Sequence, residues 1–225
     1  MNPGPQYQNN FFTFMSCNVN SLAKYDFQRV RLIEAHNSFF NYDLISICET
    51  SLNDSVELLE PLLNEYTFVS ANNPANNRHG GVGLFYKNSL PIVVRNDLSF
   101  DESIVVELKF GRKKIFFTVL YRSPSFDHTT PEFHSFLTNF RNLYSKIKGE
   151  NPFAMFYTGD FNAHSQFCWP NGDTTPEGIE IENLLSLPGR SQIISEPTNL
   201  KPNKSPSCID IIITDKPNVI LDYRT

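Results

Sequence analysis

No stretch of this 225-residue sequence approaches the roughly 20 consecutive apolar residues that a membrane-spanning helix needs, so a helical span is excluded. The opening MNPGPQYQNN has neither a positive leader nor an apolar run, and no secretory signal is read there. The four cysteines, Cys17, Cys48, Cys168 and Cys208, form no CxxC pair. Buried free thiols in an intracellular, reducing environment are expected, in preference to a disulfide or a zinc site. Positive charge is not in surplus either: 19 Lys and Arg stand against 24 Asp and Glu, a net charge of −5. That argues against broad non-specific nucleic-acid binding, which draws on excess Lys and Arg. It leaves room for a local basic rim around an acidic centre. Candidates for the rim are Arg78 with His79, the run Arg112-Lys113-Lys114, Arg122, and Lys201 with Lys204. Each of these also reads as a solvated loop charge. No repeat, linker or low-complexity block breaks the chain, so residues 1–10 read as a flexible polar leader and 11–225 as a single domain.

What is present is a globular composition. Hydrophobic residues make up 40% of the chain, with 20 Phe against one Trp, so the expected core is rich in aromatic rings. Apolar runs alternate with helical periodicity. FFTFMSCNV, DLISICE, YTFVSA, GGVGLFYK and PIVVR read as strands, and SIVVELKF-GRK-KIFFTVLY as a hairpin with a basic tip. A helix is predicted over 26–40 with Phe27, Val30, Ile33 and Phe40 near one face, and a short one in DSVELLEPLLNEY, interrupted at Pro61. The clearest helix is PEFHSFLTNFRNLYSKI, whose Phe133, Phe136, Leu137, Phe140, Leu143, Tyr144 and Ile147 make a continuous stripe. A strand at 153–158, a helix near 177–187 and a strand CIDIIIT follow. Two packed sheets with helices outside are the expected arrangement.

Several of these strands end in polar residues. In YTGDFNAHS the apolar run stops at Gly159, and an extended chain would point Asp160, Asn162 and His164 one way, Phe161 and Ala163 the other. In CNVN, Asn18 and Asn20 share a face; Glu49 closes ISICE; Tyr121 and Arg122 end FFTVLYR; Asp210 interrupts SCIDIII. Any one of these reads equally as a cap or turn. Asp210 is different, because a carboxylate inside an apolar strand is costly unless it is paired, hydrogen-bonded or near a metal. Ligands are expected where several strand ends converge.

The ordered motifs CNVNSL, CET, LYRSP, GDFNAH and IDIIIT resemble those of the endonuclease/exonuclease/phosphatase superfamily. HGGVGLFYK, GDFNAHS followed by Trp169, and EPTNL…CIDIIIT look most like the apurinic-type endonuclease domain of non-long-terminal-repeat, LINE-like retrotransposons. The likeness runs from about residue 11 to 215. NPGP in the leader is also similar to the end of a ribosome-skipping 2A peptide, with a plain leader as the alternative. The resemblance implies a four-layer α/β sandwich of the deoxyribonuclease I-like kind: two packed mixed sheets flanked by helices. It implies metal-dependent hydrolysis of a phosphodiester bond in double-stranded DNA, with Mg2+, or Mn2+ in its place, and no organic cofactor or membrane. The nick would leave a 3′-hydroxyl that primes reverse transcription in the nucleus, with the reverse-transcriptase region of the same polyprotein as partner.

Residue chemistry agrees with that assignment. Mg2+ prefers oxygen ligands and keeps several waters, so one carboxylate and one amide can suffice. Glu49 is the expected main ligand with Asn18 beside it. Asp160 is expected to accept a proton from, or orient, the attacking water. Asn162 is expected to donate to a phosphate oxygen without repelling it. Tyr121 offers a phenolic donor, and Asp210 either orients a catalytic neighbour or approaches the metal. Asn20, Arg78, Arg112, Lys113, Lys114, Arg122, His164 and Thr198 are the expected DNA- or phosphate-binding residues, with His164 also readable as a loop histidine. Loops 72–80 and 165–176 and the hairpin tip near Gly111 are expected to set sequence preference. Two other readings remain open: a catalytically impaired or domesticated DNA- or protein-binding remnant, and an inositol-phosphate phosphatase of the same superfamily. The family pattern ends in a Ser-Asp-His motif, whereas the last histidine here is His164. A missing final strand is therefore expected, leaving Cys208 to Thr214 as a sheet edge or with one unpaired side.

Overall fold

The computed structural model describes residues 11–22, 28–52, 63–72, 80–185, 189–200 and 205–225. The five-residue β1 (Phe14–Asn18) is followed by α1 (Gln28–Phe40), β2 (Leu44–Cys48), β3 (Tyr66–Ala71), β4 (Val82–Lys87) and β5 (Ile92–Val94). Then come β6 (Ser103–Phe110), β7 (Lys113–Tyr121), α2 (Pro131–Gly149), β8 (Ala154–Asp160), α3 (Pro176–Leu185), β9 (Ser191–Gln192) and β10 (Asp210–Thr214). The strands form two mixed sheets, a four-stranded one in the order β1-β2-β4-β3 and a six-stranded one in the order β5-β6-β7-β8-β10-β9.

Side-chain alternation explains the layering. In β2, Leu44 and Cys48 face the other sheet, while Ile45 and Ile47 face α1 with Val30 and Ile33. In β8, Ala154 and Phe156 lie between the sheets, while Met155 and Tyr157 turn towards α2 and α3. A strand covered on both faces reads as a continuous apolar run, as LISIC and AMFYTGD do. The α2 stripe is buried throughout, and truncating its fully buried Phe140 should cost about 3–5 kcal/mol in chemical denaturation. α2 starts sharply because Thr130 Oγ1 accepts from Phe133 N and a proline opens the first turn. The result is a four-layer α/β sandwich.

Two expectations are corrected. Phe40 does not join the buried face of α1 but is 51% exposed, because the chain turns at Asn41 (φ 53°) and leaves it at the helix end. β10 is not a bare edge: β9 pairs with Ile213 and Thr214, and above it the Thr198 hydroxyl accepts from Ile209 N and Asp210 N (3.3 and 3.1 Å). The unpaired donors of an edge are thus taken up locally. The helix expected in DSVELLEPLLNEY lies mostly outside the described residues, and its last residue, Tyr66, begins β3. Phe27, Arg78 and His79, Lys201 and Lys204, and most of loop 72–80 also lie outside them. The four cysteines are free, and Cys48, Cys168 and Cys208 are buried.

Candidate active site

Strand register gathers the polar strand ends at one end of the sandwich. Asn18 is paired with Cys48, one residue before Glu49. In the other sheet Asp160 lies between Tyr121 on one side and Asp210 on the other. The two sets meet across the sheets: Asn18 Nδ2 donates to Glu49 Oε1 (2.8 Å) and to Asp160 Oδ2 (2.9 Å). Tyr121 OH donates to Glu49 Oε1 at 3.4 Å. Asp160 Oδ1 accepts from Asn162 N (2.8 Å), and Asn162 Nδ2 donates to the carbonyl of Arg122 (2.9 Å). Sequence reasoning missed two supports. The Cys48 thiol spans the sheets, donating to Leu120 O and accepting from Asp160 N, both at 3.4 Å. The buried Glu102 accepts from Gly81 N (2.7 Å), and the Gly80 and Gly81 carbonyls accept from Ser51 N and Thr50 N beside Glu49. A carboxylate at the mouth of the apolar strand SIVVEL was the available signal for Glu102; nothing in the sequence marked Cys48.

The backbone here is not extended. Glu49, Asn20 and Asn162 adopt left-handed conformations (φ 56°, 46° and 47°), which cost energy in a non-glycine residue and concentrate at functional sites. β8 ends at Asp160, so the alternation foreseen for Asp160, Asn162 and His164 stops there, although Phe161 and Ala163 are buried as expected.

Burial and like charge set the electrostatics. Asp160 is pushed up to about 7 by burial and then by Asp210. Asp210 is pushed up to about 6 by burial and by Glu49, against a stabilising hydrogen bond from Thr198. Burial, with Glu49 and Asp160, also raises Tyr121, so its phenol stays protonated and able to donate. Among the described residues no cation pairs with Glu49, Asp160 or Asp210. Asp160 is buried and Glu49 and Asp210 are half-buried, and hard oxygen donors without a counter-ion suit a divalent cation.

Several expected roles need revision. Asn18 turns its amide nitrogen, not its oxygen, to the two carboxylates, and its Oδ1 accepts from Asn20 N (3.0 Å). In this geometry it clamps the two carboxylates together. Arg122 is not a rim charge: it is 2% exposed. Thr198 holds the β10 backbone as described, and the carbonyl of His164 accepts from Thr175 N (3.0 Å). The hairpin tip lies at the wrong end, because β7 carries Lys113 at its start and Tyr121 at its finish, about 26 Å apart at strand rise. Lys114 pairs with Glu150 (2.9 Å), and Lys113 sits over the Phe153 ring. Replacing Arg112 and Lys113 by alanine should leave the salt dependence of DNA binding unchanged, measured by titration at several salt concentrations. A separate cluster of Asp127, His128 and Glu177 lies on the surface, where Glu177 Oε1 is already bonded to the His128 backbone and ring.

A two-sheet sandwich that gathers carboxylates and amides at the joined ends of its strands is a hydrolase scaffold of the deoxyribonuclease I-like class. Residues 15–218 match the Endonuclease/Exonuclease/phosphatase family, and the chain belongs to it. The fold is similar to that of the endonuclease domain of TRAS1, a telomere-specific non-LTR retrotransposon (14% identity, 90% of this chain and 83% of that one, TM-score 0.69). It is also similar to the AP endonuclease LMAP from Leishmania major (15%, 90% and 78%, TM-score 0.74). A third similar structure is an AP endonuclease from Archaeoglobus fulgidus (12%, 92% and 88%, TM-score 0.66). No curated protein is significantly similar in sequence.

Proposed function

We propose that the chain is a metal-dependent DNA endonuclease of the non-long-terminal-repeat retrotransposon kind, which nicks one strand and leaves a 3′-hydroxyl for reverse transcription. The observation that carries this is the meeting of Asn18, Glu49, Tyr121, Asp160 and Asp210 across two sheets. Motifs similar to those elements, and a fold like that of the TRAS1 endonuclease domain, favour a DNA strand over an inositol phosphate. Glu49 and Asp210 would hold the cation, whose contribution is to polarise a phosphate oxygen and stabilise leaving-group charge. Asp160, held by Asn18, Asn162 and Cys48, takes the proton of the attacking water; a carboxylate raised towards neutrality is matched to that task. Tyr121 keeps its phenolic proton and donates a hydrogen bond to the phosphate. The nucleus is the proposed place of action, with the reverse transcriptase of the same element as partner.

Supercoiled plasmid with Mg2+ should be converted to the nicked circle, with no conversion in EDTA, and a DNA polymerase should extend the product directly from the nick. Release of phosphate from an inositol phosphate, without nicking, would move the activity to the phosphatase branch. Plasmid binding with neither reaction would identify a binding remnant.

A further inference from the structure

We infer that Arg122 is a positioning residue that fixes the Asp160–Asn162 segment from behind, not a contact for nucleic acid; the catalytic part of this inference rests on the function proposed above. Its guanidinium is buried, and burial lowers its pKa, offset by Glu177 and Asp160. Among the described residues no carboxylate forms an ion pair with it. Among the described residues, every hydrogen bond of the side chain goes instead to a main-chain carbonyl. Nε donates to Phe161, Nη2 to Asn162, and Nη1 to Ser123 (3.2 Å) and Phe126. The plane packs 5.5 Å from the Phe133 ring at the start of α2.

The main chain of the same residue closes the arrangement. Arg122 N donates to Asp160 O (3.0 Å), and Arg122 O accepts from Asn162 Nδ2. One residue thus touches Asp160, Phe161 and Asn162 in turn, where Asn162 is held at φ 47°. Burying a charge among carbonyls is expensive. A five-donor planar fork can satisfy four acceptors at once, which an ammonium on a flexible stem cannot match. The carbonyls it fixes lie next to the carboxylate that faces Asn18. A displacement of about 1 Å there is enough to lose about 100-fold in rate.

Arg122→Lys tests this, with Arg122→Met as the variant that removes the charge. In plasmid nicking, Arg122→Lys should lower kcat by about 100-fold with KM unchanged, and the salt dependence of DNA binding should stay that of the wild type. Amide hydrogen exchange at Asn162 should speed up in both variants while exchange in β7 and α2 stays slow. A KM effect together with a salt slope reduced by about one would overturn the inference in favour of a phosphate contact. Wild-type kcat with unchanged Asn162 exchange in Arg122→Lys would overturn it too. If the wild type does not nick DNA at all, the proposed function fails, and the exchange comparison still decides whether Arg122 fixes this segment. If Arg122→Met does not fold, Arg122→Lys decides alone.

Discussion

Asp160→Asn should sharply lower metal-dependent nicking and yet make the metal-free protein more stable at pH 8. The activity loss expected for removing a proton acceptor is roughly 10²- to 10⁴-fold, read from the rate of plasmid conversion. The gain in stability follows from linkage. Asp160 is raised from 3.8 to about 7 in the folded protein by burial and by Asp210, and Asp210 is raised to about 6. Between the unfolded value of 3.8 and the raised folded values the folded state therefore holds more protons than the unfolded one. Stability is fully present below the unfolded carboxylate range and is lost as pH rises towards 7. Thermal melts in EDTA should show a falling Tm across that window, and Asp160→Asn should flatten the fall and melt several degrees higher at pH 8. Adding Mg2+ should raise the wild-type Tm at pH 8, because a ligand that binds only the folded state stabilises it. Glu49→Ala should lose most of that increase. A Tm that rises with pH in EDTA would contradict the buried like-charge arrangement.

The same balance explains what the sequence could and could not show. Periodicity made α2 and β3 legible, because a stripe or an alternation covered on a known face leaves a direct pattern. The five polar strand ends were legible as interruptions of apolar runs, Asp210 above all. Their meeting was not, since β1 and β2 belong to one sheet and β7, β8 and β10 to the other, and no local pattern encodes how sheets are superposed. Arg122 was misread because a charged residue before Ser-Pro has the local pattern of a surface turn; its burial is decided by the fork of carbonyls that the fold brings to it. The clamp made by Asn18 was not legible because the orientation of its amide depends on Asn20 N, reached only through a left-handed turn. The two-residue β9 was missed because so short a strand carries no period.

Gly159 answers why an apolar strand ends in glycine just before its carboxylate. Its φ is 142°, and a Cβ built there would lie 1.8 Å from the carbonyl oxygen of Leu120 on the neighbouring strand. That carbonyl is the group that accepts from the Cys48 thiol, whose sulfur accepts in turn from Asp160 N. The close approach of β7 and β8 therefore places Asp160 N beside that thiol. Gly159→Ala brings a methyl group against main chain, not against a side chain that can rotate aside, and both strands are fully buried at this level. A loss of about 3–5 kcal/mol is expected, or a Tm lower by roughly 10 °C for a chain of this size. Gly149→Ala, with open space around its position, is the control and should be close to neutral. Below its own melting temperature Gly159→Ala should still nick poorly, because separating the strands moves the Asp160 carboxylate. Wild-type stability and nicking in Gly159→Ala would show that the strands can part without moving Asp160, and that the glycine is not what places it.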